Sequence, residues 1–584
     1  MKITKKSLFL PLVFLPVVSH GAQKPNVLLI ISDDQGWGDV GANGNPLINT
    51  PTMDRLHRES VVMNQFYVSP LSAPTRASLL TGRYHLRTGV TSVSSGLENM
   101  NPAETTLAEL FKEAGYVTGC FGKWHNGTYY PYTPLGQGFD TFLGFCCGHW
   151  PTYFDPPLQK DEEMFRGKGY ITDILTDAAL DFMDKNRDKP FFCYVPYNAP
   201  HSPFQVPDKY YDKYKNIKAN NERDQKILAS IYGMVECVDD NIARLLAKLD
   251  ALGIRKNTIV IFLTDNGPTH VVRYNGVMRG TKGTVHEGGV HVPCFINWQG
   301  TLKHSVINGI AAHVDMLPTL MDLCGIKDYK TAFPIDGISL KNNIVKGKNI
   351  PAGRAIFTHR LDKTLTPWMG ALRTGDLRLT IYPDNKPYLF DLSKDPSEQN
   401  DIFDISNPAH KRLFDTYQQW FESASKGVAL NTNIPVGYPQ APQVRIPTPE
   451  GQMYGKLKCY GPPNQNWVCH FQSKADSLTF TLEVVNTGDY EIALDFNHVG
   501  KNPQSTAYIL CGNKLLKKAV PEFISSIIPT HNRVDMSEQP EKTWGRLSLG
   551  NVKLAKGFHQ LTVWAEGVPN DKTMEIKTVV INKR

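Results

Sequence analysis

The sequence predicts an α/β fold: a mixed, mostly parallel sheet flanked by helices, then a small antiparallel C-terminal subdomain, then an appended β-sandwich. Three observations carry this expectation. Short, nearly uninterrupted apolar runs such as "NVLLIIS" (26–32) and "TIVIFLT" (258–264) have the composition of strands buried on both faces. Helical patterns, as in 105–115 and 229–253, alternate with these runs, and such alternation builds parallel sheets. Beyond residue 450, strands of alternating polarity are separated by turn residues, the pattern of a sandwich.

Four apolar runs end in polar groups. "NVLLIISDD" ends in Asp33 and Asp34, and "GYVTGCFGKWH" in Lys123 and His125. "PFFCYVPYNAPH" ends in Asn198 and His201, and "NTIVIFLTDNG" in Asp265 and Asn266. Parallel α/β sheets bind ligands outside the carboxyl ends of their strands, so the four clusters are expected to meet at one edge. Between the first two, "SPLSAPTRASLLTGRY" (69–84) reads as a loop entering a helix, with Ser72 at its mouth and Pro74 in its first turn. One role open to Ser72 is that of helix N-cap.

Residues 351–425 change character. "ALRTGDLRLTIY" and "PYLFDLSKDPSEQND" suggest a small antiparallel sheet and a turn, and "HKRLFDTYQQWFESA" a closing helix. Residues 426–450, rich in Pro and Gly, read as a linker. The expected organisation is a signal peptide (1–22), an α/β domain (23–350), a subdomain (351–425), the linker, and a β-sandwich over 451–584, possible in carbohydrate binding as well as in bracing.

The 584 residues need more than one core. The formal charge of +7 is mild over this length and no dense Lys/Arg run follows the first few residues, so a nucleic-acid partner is not expected. Lys2, Lys5 and Lys6 precede an apolar run at 8–18 and the small residues Ser19, Gly21 and Ala22. This is the pattern of a secretory signal peptide, too short for a membrane anchor, which points to a periplasmic or secreted protein. None of the ten cysteines forms a CxxC pair, which argues against a zinc ribbon; Cys459 and Cys469 could form a disulfide.

Asp33, Asp34, Asp265 and Asn266 offer only oxygen donors, a set that suits a hard cation, Ca²⁺ or Mg²⁺. Acids after strands are also common as caps and turn residues; two such pairs on separate buried strands favour the metal. Lys123, His125, His201 and Lys282, the last in the Gly-rich "RGTKGTVHEGGVHVP", fit a tetrahedral oxyanion.

"SAPTRASLLTGRY" resembles the signature of the sulfatase family: Ser or Cys, any residue, Pro, any residue, Arg, and a downstream Thr-Gly. "SDDQGWGDVG", "GKWHNG", "NAPHSPF", "LTDNG" and "KGTVHEGG" resemble further motifs of that family, in its order and spacing. "TGDLRL" with "YLFDLSKDPSEQND" resembles its C-terminal subdomain, so the resemblance spans about 25–425 and leaves the sandwich outside.

The resemblance implies an alkaline-phosphatase-like fold and a sulfuric ester hydrolase of the formylglycine-dependent type. Ser72 would be oxidised to formylglycine, whose hydrate attacks sulfur with one hydroxyl. Loss of the proton from the other expels sulfate, an exit that a sulfated serine lacks. Asp33, Asp34, Asp265 and Asn266, with residue 72, would hold one Ca²⁺. Arg76 and Lys123 would orient the diol, His125 would take its proton, and His201 and Lys282 would bind sulfate and protonate the leaving oxygen. Serine at 72 implies a partner, a radical sulfatase-maturating enzyme of the serine type used by bacteria. The chain departs from the family at His291, where Arg is common, and at Asn126, where Leu is common.

The expected substrate is a sulfated carbohydrate, with algal glycans (ulvan, carrageenan, fucoidan) and glycosaminoglycans both open. His149, Trp150, Tyr153, His359, Arg360 and Trp368 are loop candidates for sugar stacking or anion contacts. Two other classes compete. A phosphatase or phosphodiesterase of the same superfamily would need a two-metal, His-rich site. A catalytically silent glycan-binding protein would leave Ser72 unmodified.

Overall fold

The computed structural model describes residues 24–269, 272–360, 364–384, 386–428, 433–459, 466–498, 505–535, 540–567 and 574–584. The proposed signal peptide lies outside them. Among the described residues no helix is long and apolar enough to cross a membrane.

Eleven strands form the main sheet: β1 (Asn26–Ser32), β2 (Val61–Tyr67), β3 (Val117–Lys123), β4 (Thr141–Phe145), β5 (Pro157–Lys160), β6 (Glu163–Arg166), β7 (Phe191–Pro196), β8 (Thr258–Thr264), β9 (His291–Val292), β10 (Cys294–Asn297) and β11 (Ser305–Ala312). Their order is β11-β2-β10-β8-β1-β7-β3-β4-β5-β6, with β9 against β2. The central strands β8, β1, β7, β3 and β4 are parallel. Antiparallel β10 and the β5–β6 hairpin make the sheet mixed. The four strands with polar endings are therefore adjacent, and Asp33, Lys123, Asn198 and Asp265 emerge along one edge, as the sequence predicts.

Burial on both faces explains the apolar runs. Leu28 and Ile30 enter one core with the helices Ile171–Lys185 and Glu222–Ala251. Val27, Leu29 and Ile31 enter the other with the helices Ser72–Thr81, Leu107–Glu113 and Met316–Leu323. The long helix starts at Glu222, earlier than its apolar periodicity indicates, because Asn221 caps it by accepting from the Asp224 N–H at 2.9 Å.

The subdomain is a four-stranded antiparallel sheet closed by the helix Pro408–Ser425. It is tied to the main domain by a buried ion cluster. Glu287 meets Arg378 at 2.5 Å and Arg373 at 3.4 Å, and its backbone N–H donates to Glu398 at 3.1 Å.

Two six-stranded sheets form the sandwich. The stretch read as a linker contributes to both. Ile434–Val436 pairs with Leu478–Val484 in one sheet, and Gln443–Pro447 pairs with Met574–Lys583 in the other. Proline is tolerated at such edge positions, so Pro/Gly composition alone did not separate linker from edge strand. Cys459 and Cys469 form no disulfide; the Cys469 thiol donates to the Lys458 carbonyl at 3.3 Å.

The sandwich is docked on the main domain. Tyr129 enters the sandwich core and donates to Glu450, Phe154 packs on His531 with ring centroids 4.2 Å apart, and Gln205 donates to Asn532 at 2.8 Å.

Candidate active site

The helix Ser72–Thr81 starts at the polar edge of the sheet and is buried along its length. Its N-cap is Leu71, so Ser72 is the first helical residue and does not cap. Pro74 falls among the first four helical residues, whose N–H groups have no intrahelical partner, so its missing donor costs nothing. The Ser72 hydroxyl, free of capping duty, lies 3.1 Å from Asp33 Oδ1 and 3.2 Å from Asn266 Oδ1 and can donate to either.

Around it runs a continuous network. Lys123 Nζ reaches Asp33 Oδ2 at 2.5 Å, and Arg76 Nη2 reaches Asp265 Oδ2 at 2.8 Å. Arg76 also donates to the Lys123 carbonyl at 2.7 Å, tying the helix to the end of β3. Lys282 Nζ is 2.6 Å from Asp34 Oδ1, and His201 Nε2 is 3.7 Å from Asp34 Oδ2. The Asn266 amide donates to Asp34 at 2.8 Å, and the Asp34 N–H to Asp265 Oδ1 at 3.1 Å. Three carboxylates thus face three cations. Lys282 and His201 keep side-chain exposures of 19% and 16% while the rest are near zero, so the site opens on their side.

His125 stands beside the network. Its Nε2 bonds the Val93 carbonyl at 3.0 Å, while Nδ1 is buried without a hydrogen-bond partner. A Cβ on Gly148 would sit 2.2 Å from this ring, so glycine there is required for the packing. His125 and Asp34 both have φ of +62°, an uncommon backbone for non-glycine residues that is held here by the surroundings.

Burial pushes the Asp34 carboxyl up, but Lys282, His201 and Lys123 outweigh it and hold Asp34 well below the usual carboxylate range. Burial, then Asp33, push Asp265 up to about 6 against the pull of Arg76. Burial opposes the charge on Lys282, yet Asp34 and its neighbours raise it above the ordinary lysine value. Burial and Lys282 bring His201 down to about 3, and burial with Lys123 depresses His125. These surroundings favour the protonated form of Lys282 and the neutral imidazoles of His125 and His201.

The donor set fits a hard cation. Ligand atoms of Asp33, Asp34 and His201 lie within 4.8 Å of one another, and Asp34 Oδ2 is buried without a hydrogen-bond partner. Asp265, crowded by like charge, and the Asn266 oxygen complete an oxygen-rich set.

The expected substrate contacts separate. His149 is next to the site, its ring centroid 5.5 Å from that of His201. Arg360 is exposed and donates to the Gly283 carbonyl at 2.9 Å, beside Lys282. Trp150 is largely buried and stacks on Phe145 at 5.0 Å. Tyr153 donates to the carbonyls of His201 and Ser202, both at 2.9 Å, and so holds the His201 loop. His359 is only 1% exposed, bonded to the Thr366 carbonyl at 2.9 Å and packed 5.1 Å from Phe421. With no surface it cannot meet a glycan, and the expectation for it is corrected to a core histidine.

The departures also find places. His291 is 3.4 Å from the Glu287 carboxylate and bonds the Asn64 carbonyl at 2.9 Å; Asn126 donates to the Ala73 carbonyl at 3.0 Å and braces the helix start. Sequence reasoning missed Arg273. Its buried guanidinium donates to the Asp34 carbonyl at 2.6 Å and pairs with Asp39 at 2.9 Å, fixing the turn that carries the acids. No motif flags it, because its contacts are to backbone and to a residue far away in sequence.

The family model described as Sulfatase matches residues 25–326. N-acetylgalactosamine-6-sulfatase of Mus musculus is 32% identical over 403 residues, covering 62% of this chain and 74% of that protein. The uncharacterized sulfatase YdeN of Escherichia coli (strain K12) is 32% identical over 386 residues, covering 56% of this chain and 67% of that protein. Among solved structures, Ps i-CgsB in complex with k-i-k-neocarrahexaose superposes with a TM-score of 0.63 at 28% identity, covering 70% of this chain and 94% of that one.

Proposed function

The chain belongs to the sulfatase family and is a sulfuric ester hydrolase, and from that premise we propose that it is an exported enzyme removing sulfate from a sulfated glycan. The observation that carries the reading is the position of Ser72: first in its helix, free of capping, with its hydroxyl turned onto Asp33 and Asn266. A glycan substrate is supported by the related protein solved with a carrageenan-type hexasaccharide and by the mouse relative named for a sulfated amino sugar. Export, to the periplasm or beyond, is supported by the signal-like N-terminus.

The sulfate ester enters where Lys282 and His201 retain exposure. The free N–H groups at the start of the helix Ser72–Thr81 favour the anion. Arg76 and Lys123 pair with Asp265 and Asp33 and fix the orientation of residue 72. His125 Nδ1, neutral and unpartnered, accepts a proton from the oxygen of residue 72. Lys282 donates to the leaving oxygen, a general-acid contribution of about 10²–10⁴ in rate. His201, whose imidazole is pushed down to about 3 by burial and Lys282, binds sulfate and gains basicity from its charge. Oxidised to formylglycine by a serine-type maturating enzyme, residue 72 supplies a hydrated aldehyde as nucleophile. Asp33, Asp34, Asp265 and Asn266 would hold Ca²⁺, which supplies Lewis acidity toward a sulfate oxygen.

The test is conversion followed by turnover. Peptide 59–76 should lose two hydrogens on maturation, and the converted protein should release inorganic sulfate from a sulfated oligosaccharide. Converted protein that hydrolyses phosphate esters but no sulfate ester contradicts the reading.

A further inference from the structure

A cleft of about 490 Å³ lies between the main domain and the sandwich, and no catalytic residue lines it. Thr128, Cys147 and Trp150 form the wall nearest the active site, the β5–β6 hairpin a second, and sandwich residues 441–447 and 541–546 the third. Cys147 and Trp150 flank Gly148 and His149, which lie against His125 and His201, so this wall of the cleft backs onto the active site. Its size is within the roughly 300–1,000 Å³ of small-molecule sites.

The lining has two chemistries. Trp544 is held rigid: it packs edge-on to Trp467 at 5.2 Å, donates to Glu541 at 3.2 Å and carries Lys542 Nζ 4.8 Å from its ring centroid. A fixed indole offers an apolar face at low entropic cost, the surface on which sugar C–H faces stack. The other chemistry is positive charge. Arg445 and Arg546 share one carboxylate, Asp495, at 2.6 and 2.5 Å, and exposed Arg166 makes no ion pair among the described residues. Of the three acids in the lining, Asp495 is taken up by Arg445 and Arg546, Glu541 pairs with Lys577 at 3.2 Å, and Glu162 is exposed. The Trp150 indole N–H, on a residue that lines the cleft, is buried without a hydrogen-bond partner.

We propose that this cleft is a distal subsite for an anionic oligosaccharide, holding the part of a sulfated chain beyond the sugar that reacts at Ser72. It rests on the reading of the enzyme as a glycan sulfatase and extends it: the sandwich is part of the substrate-binding surface. A sugar ring stacks on Trp544 while its sulfate groups pair with Arg166 and Arg546. Binding is salt-dependent, since the arginines are solvent-accessible.

The test is titration of full-length Ser72→Ala with hexasaccharides and disaccharides prepared from ι-carrageenan, chondroitin 6-sulfate and heparin, followed by tryptophan fluorescence and calorimetry. At least one hexasaccharide should bind saturably and more tightly than its disaccharide. Trp544→Ala should weaken that binding by about tenfold or more. Arg166→Ala, at an exposed position with no ion pair among the described residues, should weaken it severalfold and reduce its salt dependence. No saturable binding, or binding that neither variant changes, overturns the proposal. Sulfate release by the converted Ser72 protein is measured separately. Cleft-dependent binding without release would contradict the function and leave the subsite standing, and release without cleft dependence would do the reverse.

Discussion

Ser72 Oγ lies 3.1 Å from Asp33 Oδ1, although 39 residues separate them in sequence. The parallel sheet makes this contact: it delivers the end of β1 to the mouth of the next buried helix. The hydroxyl stabilises no helix end, so its environment is explained by chemistry at that atom. Ser72→Ala should therefore lower sulfate release by at least about 10³-fold. Its thermal midpoint should stay within a few degrees of the parent, because no cap is lost. A large fall in midpoint would give Ser72 a structural role instead.

Lys282 is the protonated group on the open side of the site, and its contribution should depend on the leaving group. Lys282→Ala should cost about 10²–10⁴ in kcat/KM on a sugar sulfate, whose alkoxide needs a proton. On 4-nitrophenyl sulfate, whose phenolate leaves unaided, the loss should be clearly smaller. Equal losses on both esters would reassign Lys282 to binding.

Asp33, Asp34, Asp265 and Asn266 should make stability depend on calcium. A ligand at about 100 times its Kd adds about 2.7 kcal/mol. Chelation should then lower the thermal midpoint by roughly 5 °C, and added Ca²⁺ should restore it. Asn266→Ala should shrink that response. A midpoint indifferent to chelator and to Ca²⁺ would argue against the ion.

Glu450 accepts a hydrogen bond from Tyr129 where the sandwich meets the main domain. Burial, and then the neighbouring Glu98, push it up from 4.5 to about 8. The native state holds a proton that the unfolded chain has released, so the associated stability is full below about 4.5 and is lost as pH rises through about 8. Between these values one such proton contributes at most about 1.4 kcal/mol per pH unit. Glu450→Gln should flatten the fall of thermal midpoint with rising pH over this window; an unchanged slope would place the proton elsewhere.

The sheet was legible because strands buried on both faces leave near-continuous apolar runs, as in residues 26–32 and 258–264. The candidate site was legible because parallel strands bring their carboxyl ends together, and Asp33, Lys123 and Asp265 stood at those ends. What was not legible depends on partners distant in the chain. His359 has the composition of a binding residue, but Phe421 and the Thr366 carbonyl enclose it. The edge strands at 434–436 and 443–447 are specified by the sheets that receive them, not by their own Pro-rich sequence. Arg273 acts on a backbone carbonyl, a contact that leaves no sequence pattern.

The most direct measurement of the central claim is inorganic sulfate release from a panel of sulfated oligosaccharides by protein whose peptide 59–76 is fully converted, alongside Ser72→Ala. The account expects release from at least one glycan class by the converted protein and none above background by Ser72→Ala. Release that persists in Ser72→Ala, or turnover confined to phosphate esters, would contradict it.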